Sequence, residues 1–238
     1  MTDNAVVITR SKNAQVNEQF NLVPVFSESL GQFNHYQQQA WDVFKKLPYP
    51  DDSQEAWKRT SLRGMNLGRL QHADTQNTNS AIPVELTKPL TDDLHGGEIL
   101  FNGSMVSIEL DEKLAKQGVI FTDLRHAQNE HPEILSKVLN ASTTYSEDKF
   151  AALAAAFGSN GVLLYIPQNV TVEKPLHSLL WTSGEGSLHA FQVFVYLEEN
   201  ASATYVHESA SAENKDGQNL HAALMDVKVG PNSKLNFV

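Results

Sequence analysis

No cysteine occurs among the 238 residues of this chain. Without a thiol, these residues form no disulfide, supply no thiolate nucleophile and give no sulfur ligand to an iron–sulfur cluster. Basic side chains are also scarce, because 18 Lys and Arg face 28 Asp and Glu and the net charge is −10. Proteins that bind nucleic acid through its phosphates need the opposite balance, so we expect no nucleic-acid partner.

Long apolar runs are missing as well. No stretch approaches the roughly 20 apolar residues that a membrane-spanning helix requires. The first residues, Met1–Ala5, lack the basic region and apolar core of a secretory signal. We therefore expect a cytoplasmic protein without membrane contact. Apolar residues still make up 41% of the chain, which is enough for a folded core.

Helical spacing is clearest in two segments. Ser29–Gln32 has the capping-box pattern, in which a hydroxyl and an amide satisfy orphan backbone donors. An Ala-rich run at residues 150–157 predicts a second helix, which begins after Ser146–Asp148 and ends at Gly158. The apolar residues after the first cap recur at helical spacing and predict a helix packed on the core: Leu30, Phe33, Ala40, Trp41 and Phe44.

Shorter elements lie between these two helices. Residues 72–97 have no period and predict a connector. Asn102-Gly103 predicts a hairpin over residues 99–106 with both of these residues at positive φ, as a type I′ turn requires. Further caps and stops predict a short helix from Asp111 to Gly118, a strand at Val119–Phe121, helical turns from Asp123 and Pro132 to about Leu139, and a left-handed stop at Asn140.

The period changes from about 3.6 to 2 after Gly161. Short segments rich in Gly, Asn and Pro separate the strands, which favours rungs of a coil or a sandwich over alternating strands and helices. Phe194 and Tyr196 lie on the second face of the strand at residues 187–198, which predicts cover by another element or a partner. The predicted strands are Val162–Pro167, Val172–Thr182, Ser187–Glu198, Ala201–Ser209, Leu220–Val229 and Ser233–Val238.

These patterns predict a mainly β chain with an α/β N-terminal region. We expect a helical region with its connector at residues 1–97, a hairpin with helices at 98–157, and stacked strands at 158–238. The last strand has no cap after it, so the coil looks truncated at Val238. An open strand edge with Leu235 and Phe237 predicts self-association there.

Candidate chemistry is weak throughout. Trp57 with three basic neighbours, Lys58, Arg59 and Arg63, fits an anion site or a packed tryptophan among solvated charges. Gly158–Gly161 follows a helix, whereas a phosphate loop precedes one. Adjacent strand residues point to opposite faces, so Glu198-Glu199 cannot flank one glycosidic bond.

Four histidines lie in the strand region without the spacing of a metal site. Each belongs to a different rung, so stacking can bring some of them together, although surface or lumen-edge positions are commoner. We therefore predict no catalytic, cofactor-binding or metal-binding residue in this chain. The four are His177, His189, His207 and His221.

Several segments together resemble the SufD branch of the SufB/SufD family of iron–sulfur cluster assembly proteins. Leu47–Pro50 followed by Glu55–Thr60 is similar to the N-terminal signature of that branch. The resemblance covers the chain from about residue 20. One departure is Asn200-Ala201, where the family has a glycine; asparagine tolerates the same left-handed backbone. Later similar segments are Phe101–Gly103, Phe150–Ala154, Gly161–Pro167 and Gly230–Leu235.

The resemblance implies a right-handed parallel β-helix after a helical N-terminal region. It also implies a non-catalytic scaffold that pairs with a SufB-like paralogue and binds a SufC-like ATPase, with the cluster held by the assembled complex. The SufC-binding helices and cluster-related positions of the family would lie beyond Val238. No functional residue of the family therefore carries over to this sequence.

Three alternatives remain open at this stage. SufB shares the implied fold, but its role depends on cysteine, so the missing cysteine favours SufD. A β-helical carbohydrate-active enzyme requires an acidic groove and a secretion signal, and the sequence shows neither. A purely structural solenoid usually has a stricter repeat than this chain.

Overall fold

A computed structural model gives the structure of the chain. It describes residues 20–26, 31–60, 62, 64–73, 81–91, 94–103, 105–142, 144–158, 160–213 and 217–238. The beginning of the predicted first cap, Ser29 and Leu30, lies outside the described residues.

The described helices and strands contribute comparable shares, so the structure is a mixture of α and β elements, whereas the sequence predicted a mainly β chain. The helices are α1 (Gly31–Lys46), α2 (Val84–Thr91), α3 (Glu112–Lys116), α4 (Leu124–Glu130), α5 (Pro132–Ala141) and α6 (Lys149–Phe157). The strands are β1 (Gln71–His72), β2 (Gly97–Asn102), β3 (Met105–Leu110), β4 (Ile120–Asp123), β5 (Asn160–Ile166), β6 (Leu176–Thr182), β7 (Ser187–Leu197), β8 (Ser202–Ser211), β9 (Leu220–Val229) and β10 (Lys234–Phe237).

From β5 onward the strands alternate between two sheets. The first sheet holds β5, β7 and β9 with β1 and β4, and the second holds β6, β8 and β10 with β2 and β3. Within each sheet the strands after residue 160 pair in parallel, which confirms the predicted parallel rungs. Val162 pairs with Val193, and Val193 pairs with Met225, so the chain returns to the same position at a nearly constant interval.

The earlier strands join the same two sheets. β2 pairs in parallel with β6 and antiparallel with β3, so the predicted hairpin extends the second sheet. β4 pairs antiparallel with β5 at the edge of the first sheet. Two antiparallel pairs thus precede the parallel strands.

One hydrophobic core lies between the two sheets. Alternate residues of each strand point inward, as period 2 requires. Phe101 of β2 and Phe191 of β7 meet there edge to face, with ring centroids 5.0 Å apart. The other large members of this core include Ile99, Phe121, Leu164, Ile166, Leu176, Val193, Val195, Leu197 and Tyr205.

Helices cover the outer face of the first sheet and make a second core. The alanines of α6 at positions 152 and 154–156 are completely buried, because small side chains let the helix lie close to the strands. Tyr36 of α1 contacts Phe194 of β7 with ring centroids 6.0 Å apart. The prediction that another element covers Phe194 is therefore confirmed.

Helix α1 packs on this core with the predicted face. Phe33, Ala40 and Phe44 are buried. A buried lysine then holds the end of the helix: Nζ of Lys149 donates to the carbonyl oxygens of Phe44 at 2.9 Å and Leu47 at 2.6 Å. Carbonyls at a helix C-terminus have no donor within the helix, so the ammonium group supplies one.

Two buried glutamines hold the end of α6 in the same way. Nε2 of Gln37 donates to the carbonyl of Gly158 at 3.1 Å, and Nε2 of Gln192 donates to that of Ala155 at 3.3 Å. Gly158 closes the helix as predicted, but in an extended conformation with φ −65°. Its need for glycine comes from space, since an added Cβ would lie 2.7 Å from the backbone carbonyl oxygen of Ala154.

Three local predictions are wrong. The connector at residues 72–97 contains α2, whose short and partly exposed helix leaves only a weak apolar period. Asn140 lies inside α5, which continues to Ala141. In the hairpin, Asn102 pairs with Met105 as a strand residue, so the turn begins one residue later, at Gly103 with φ 60°.

Left-handed asparagines mark one corner of successive turns of the coil. Asn169, Asn200 and Asn232 have φ of 62°, 58° and 56°, and they recur at the same interval as the paired strand positions. Nδ2 of Asn200 donates to Oδ1 of Asn169 at 3.0 Å, which joins two successive corners. The expectation that Asn200 preserves the left-handed turn is confirmed.

Candidate functional site

Polar side chains gather at one end of the space between the sheets. Here β6 and β8 end while β7 and β9 begin. Several inward positions here carry serine and histidine, while Leu180, the inward neighbour of Ser178 on β6, remains part of the apolar core. We call the set Ser178, His189, His207, Ser209 and His221 the polar end of the core.

A chain of hydrogen bonds crosses the polar end. Oγ of Ser178 lies 2.7 Å from the hydroxyl oxygen of Tyr205 and 2.8 Å from Nδ1 of His207. Nε2 of His207 in turn lies 3.2 Å from Oγ of Ser209. Each polar atom of this chain thereby has a partner, which offsets the cost of removing it from water.

His207 bridges the two sheets. It extends from β8 and stacks on Phe191 of β7, with centroids 5.3 Å apart and planes at 13°. Burial, with smaller contributions from His221 and His177, lowers the pKa of His207 to about 4. Burial also lowers the pKa of His221. At neutral pH both rings are therefore uncharged, with one nitrogen lone pair each.

Three of the four histidines lie at inward positions of the two sheets. His189 and His221 are direct partners on the parallel strands β7 and β9. Both point inward because their neighbours Leu188 and Ala222 belong to the helix-side core. His207 approaches from the facing sheet.

His177 points to the opposite face of the second sheet. Its Nε2 lies 2.9 Å from Oε2 of Glu208, and only 7% of the residue is exposed. Nearby, Nε2 of His95 lies 3.7 Å from Oε2 of Glu98, which is the cross-strand partner of both His177 and Glu109. Burial raises the pKa of Glu98, with Glu109 adding to this rise and His95 opposing it.

The serine–histidine contact does not have the geometry of a nucleophile. Ser178 is completely buried, so a substrate cannot reach its Oγ. The second nitrogen of His207 contacts Ser209 and not the carboxylate that orients a catalytic histidine. The contact therefore stabilises the polar end of the core.

The other sequence candidates lie apart from this set. Trp57 packs on Phe150 with centroids 5.2 Å apart, and the exposed Lys58 lies 3.6 Å from Glu55, which fits the packed tryptophan. Arg63 lies outside the described residues. Glu198 accepts a hydrogen bond from Lys137 at 2.9 Å, and Glu199 accepts one from Gln168 at 3.4 Å, so the two carboxylates have separate partners.

Sequence reasoning allowed stacking to bring some of these histidines together but did not identify His189 and His221 as direct partners on neighbouring strands. The available signal was the nearly constant spacing of the three corner asparagines, which gives the length of one coil turn. Among the described residues, no group of three or more His, Cys, Asp or Glu side chains could hold a metal ion. No described helix is long and apolar enough to cross a membrane.

Comparison with known proteins gives a consistent result. Residues 19–177 match the model of the SufBD protein N-terminal region. An iron–sulfur cluster assembly SufBD family protein of Synechocystis sp. is 30% identical over 141 residues, which are 59% of this chain and 29% of that protein. Proteins of the same description from Staphylococcus aureus and Staphylococcus haemolyticus are 26% identical over 144 residues, 60% of this chain and 31% of theirs. The matched part thus spans less than a third of each relative.

Proposed function

Because the chain belongs to the SufBD family, we propose that it acts in iron–sulfur cluster assembly as a SufD-type scaffold without catalytic activity. The observation that carries the proposal is the family match over residues 19–177. The relatives named above are described as iron–sulfur cluster assembly proteins.

A right-handed parallel β-helix is the fold we propose for the strands after residue 160. Successive strands alternate between two sheets and return in register to the strand before them in the same sheet, which is the connectivity of a coil. Connections between parallel strands of one sheet are right-handed in about 98% of cases, which supports the hand. The regions 1–97, 98–157 and 158–238 remain the proposed division of the chain.

Two groups that resemble catalytic residues have structural partners in the described part of the chain. Its serine–histidine contact is buried, and its paired strand glutamates are bound to different partners. The whole sequence lacks cysteine, which favours the SufD branch over the SufB branch. We propose that any cluster is held by the assembled complex and that the chain itself holds no cofactor for that assembly.

The proposed partners are a SufB-like paralogue and a SufC-like ATPase in the cytoplasm. A parallel coil with regular edges suits pairing with a second coil of the same kind, because edge strands offer a row of backbone donors and acceptors. Neither nucleic acid nor membrane is a proposed partner. Self-association through Leu235 and Phe237 stays a prediction.

Co-purification tests this proposal. The chain is co-expressed with tagged SufB-like and SufC-like proteins of its own genome, and the captured complex is analysed by native mass spectrometry. We expect a complex that contains all three chains. Capture of the SufB-like and SufC-like proteins without this chain, at equal expression, would contradict the proposed partners.

A further inference from the structure

The sequence contains two Asn-Gly pairs, Asn102-Gly103 and Asn160-Gly161, whose chemistry the scaffold role does not use. Asparagine is among the chemically labile side chains of proteins. In an Asn-Gly pair the backbone nitrogen of the glycine can attack the side-chain carbon Cγ of the asparagine, because the glycine has no side chain that hinders the approach and its backbone is permissive. The two pairs share this intrinsic reactivity, so the fold decides which of them reacts.

The first pair lies at the tip of the β2–β3 hairpin. Gly103 is exposed, has φ of 60° and lies in the turn, directly after Asn102 as the last paired residue of β2. The strand beyond the turn, β3, is an edge strand of the second sheet, and β2 is its partner there. Opening the tip therefore disturbs only the end of one strand pair. Such local opening costs much less free energy than unfolding of the core.

The second pair lies at a closed position of the fold. Gly161 is buried in β5, which lies between β4 and β7 in the first sheet. Its backbone is so close to β7 that an added Cβ would lie 2.2 Å from the carbonyl oxygen of Gln192. The side chain of Asn160 is held as well, since its Nδ2 donates to the carbonyl oxygen of Gly103 at 3.3 Å. Both asparagines are half-buried, so the difference between the pairs lies in the two glycines and their strands.

We propose that Asn102 is a deamidation site of the folded chain and that the fold protects Asn160 from the same reaction. The backbone nitrogen of Gly103 gives its proton to a solvent base and forms a bond to Cγ of Asn102. The carbon–nitrogen bond of the side-chain amide breaks, and ammonia leaves with a proton from water. The succinimide ring that results takes up one water molecule, which opens either of its two carbonyl–nitrogen bonds. The product is aspartate or isoaspartate at position 102, and water is the only co-reactant.

Either product changes the hairpin. A carboxylate replaces an amide on the outer face of β2, beside Trp181, the parallel partner of Asn102 on β6. Isoaspartate also passes the backbone through the former side chain and lengthens it by one carbon, so the pairing of Asn102 with Met105 loses its register. The carbonyl group of Gly103, which accepts the hydrogen bond from Asn160, is displaced with the turn. We therefore expect the isoaspartate form to unfold at a lower urea concentration than the parent.

Incubation of the whole chain at mildly alkaline pH, in water labelled with heavy oxygen, tests the proposal. Samples are digested at intervals and analysed by mass spectrometry, and the heavy oxygen marks each carboxylate that formed during the incubation. We expect Asn102 to react at least about tenfold faster than Asn160 in the folded chain, which corresponds to a difference of about 1.4 kcal/mol in opening free energy. In concentrated urea both pairs are released from the fold, so the two rates should converge.

Asn102→Gln is the matched variant, because glutamine must close a larger ring and cyclises more slowly. Circular dichroism verifies that the variant is folded. It should lose the fast reaction at position 102 and keep the slow reaction at Asn160. An isoaspartyl methyltransferase should label the incubated parent much more strongly than the incubated variant. A rate at Asn160 that equals or exceeds the rate at Asn102 in the folded parent overturns the proposal, as does an unreactive Asn102 in the folded parent when both pairs react in urea.

Discussion

Replacing Lys149 by methionine should destabilise the chain strongly. Lys149 is only 9% exposed, and its ammonium group donates to the carbonyls of Phe44 and Leu47. The same ammonium lies 4.3 Å from the ring centroid of Phe44 and 4.5 Å from that of Tyr49. Methionine retains most of the aliphatic stem but removes all of these polar contacts.

The expected loss follows from those contacts. A hydrogen bond to a charged group contributes about 1.5–3 kcal/mol, and two are lost. Part of this loss of stability is offset because the variant has no ammonium group to bury. We therefore expect the free energy of unfolding to fall by about 3 kcal/mol, which is a large fraction of the roughly 5–15 kcal/mol of a typical domain.

Urea denaturation at pH 7, followed by circular dichroism, measures the change. Lys116→Met is the control, because the Lys116–Glu112 pair at 3.1 Å has side chains that are 75% and 87% exposed. Exposed pairs contribute about 0–1 kcal/mol, so that variant should behave like the parent. A loss below about 1 kcal/mol for Lys149→Met, or a loss equal to that of the control, would refute the capping role of this lysine.

The remaining predictions concern the left-handed corner at Asn200, the carboxylate of Glu98 and the close backbone approach at Gly161. Asn200→Ala should lower the free energy of unfolding, measured in urea, by about 1–2 kcal/mol, because residue 200 has a positive φ. Asn200→Gly should lower it less, since glycine adopts positive φ without strain. Equal losses for the two variants would contradict this reasoning. Glu98→Gln should stabilise the chain at pH 7. Burial raises the pKa of Glu98 in the folded chain above its unfolded value, so the protonated carboxyl favours folding. This contribution to the free energy of unfolding is present in acid and is lost as pH rises through the folded pKa. The increase in the free energy of unfolding of Glu98→Gln should therefore vanish in acid. Glu112→Gln, at an exposed position, should give no such increase. Gly161→Ala should cost about 3 kcal/mol or more, since its Cβ would lie 2.2 Å from the carbonyl oxygen of Gln192; a thermal midpoint equal to that of the parent would exclude the close approach.

Much of the fold follows from local patterns. The apolar face of α1 and the caps Asp111 and Asp123 depend on nearby residues, and the structure agrees with them. Period 2 after Gly161, with short turns, predicted stacked strands of a coil or a sandwich, and the family resemblance implied that they are parallel, as the structure shows. These features are local because capping and alternation act within a few residues.

Other features depend on distant contacts that local patterns do not contain. Lys149 meets the end of α1, which lies far away along the chain, and Gln192 meets the end of α6. The turn after Asn102 is set by strand register and not by the Asn-Gly pair alone. The pairing of His189 with His221 can be predicted only once the length of one coil turn is known.

Cluster reconstitution tests the scaffold account most directly. The chain alone, its SufB-like and SufC-like partners without it, and the complete complex are each incubated anaerobically with iron and a sulfide source, and the visible absorption and ATP hydrolysis are measured. We expect no stable cluster band and no ATP hydrolysis for the chain alone, and the highest cluster yield for the complete complex. A stable cluster on the isolated chain, or an equal yield from the partners without it, would contradict the account.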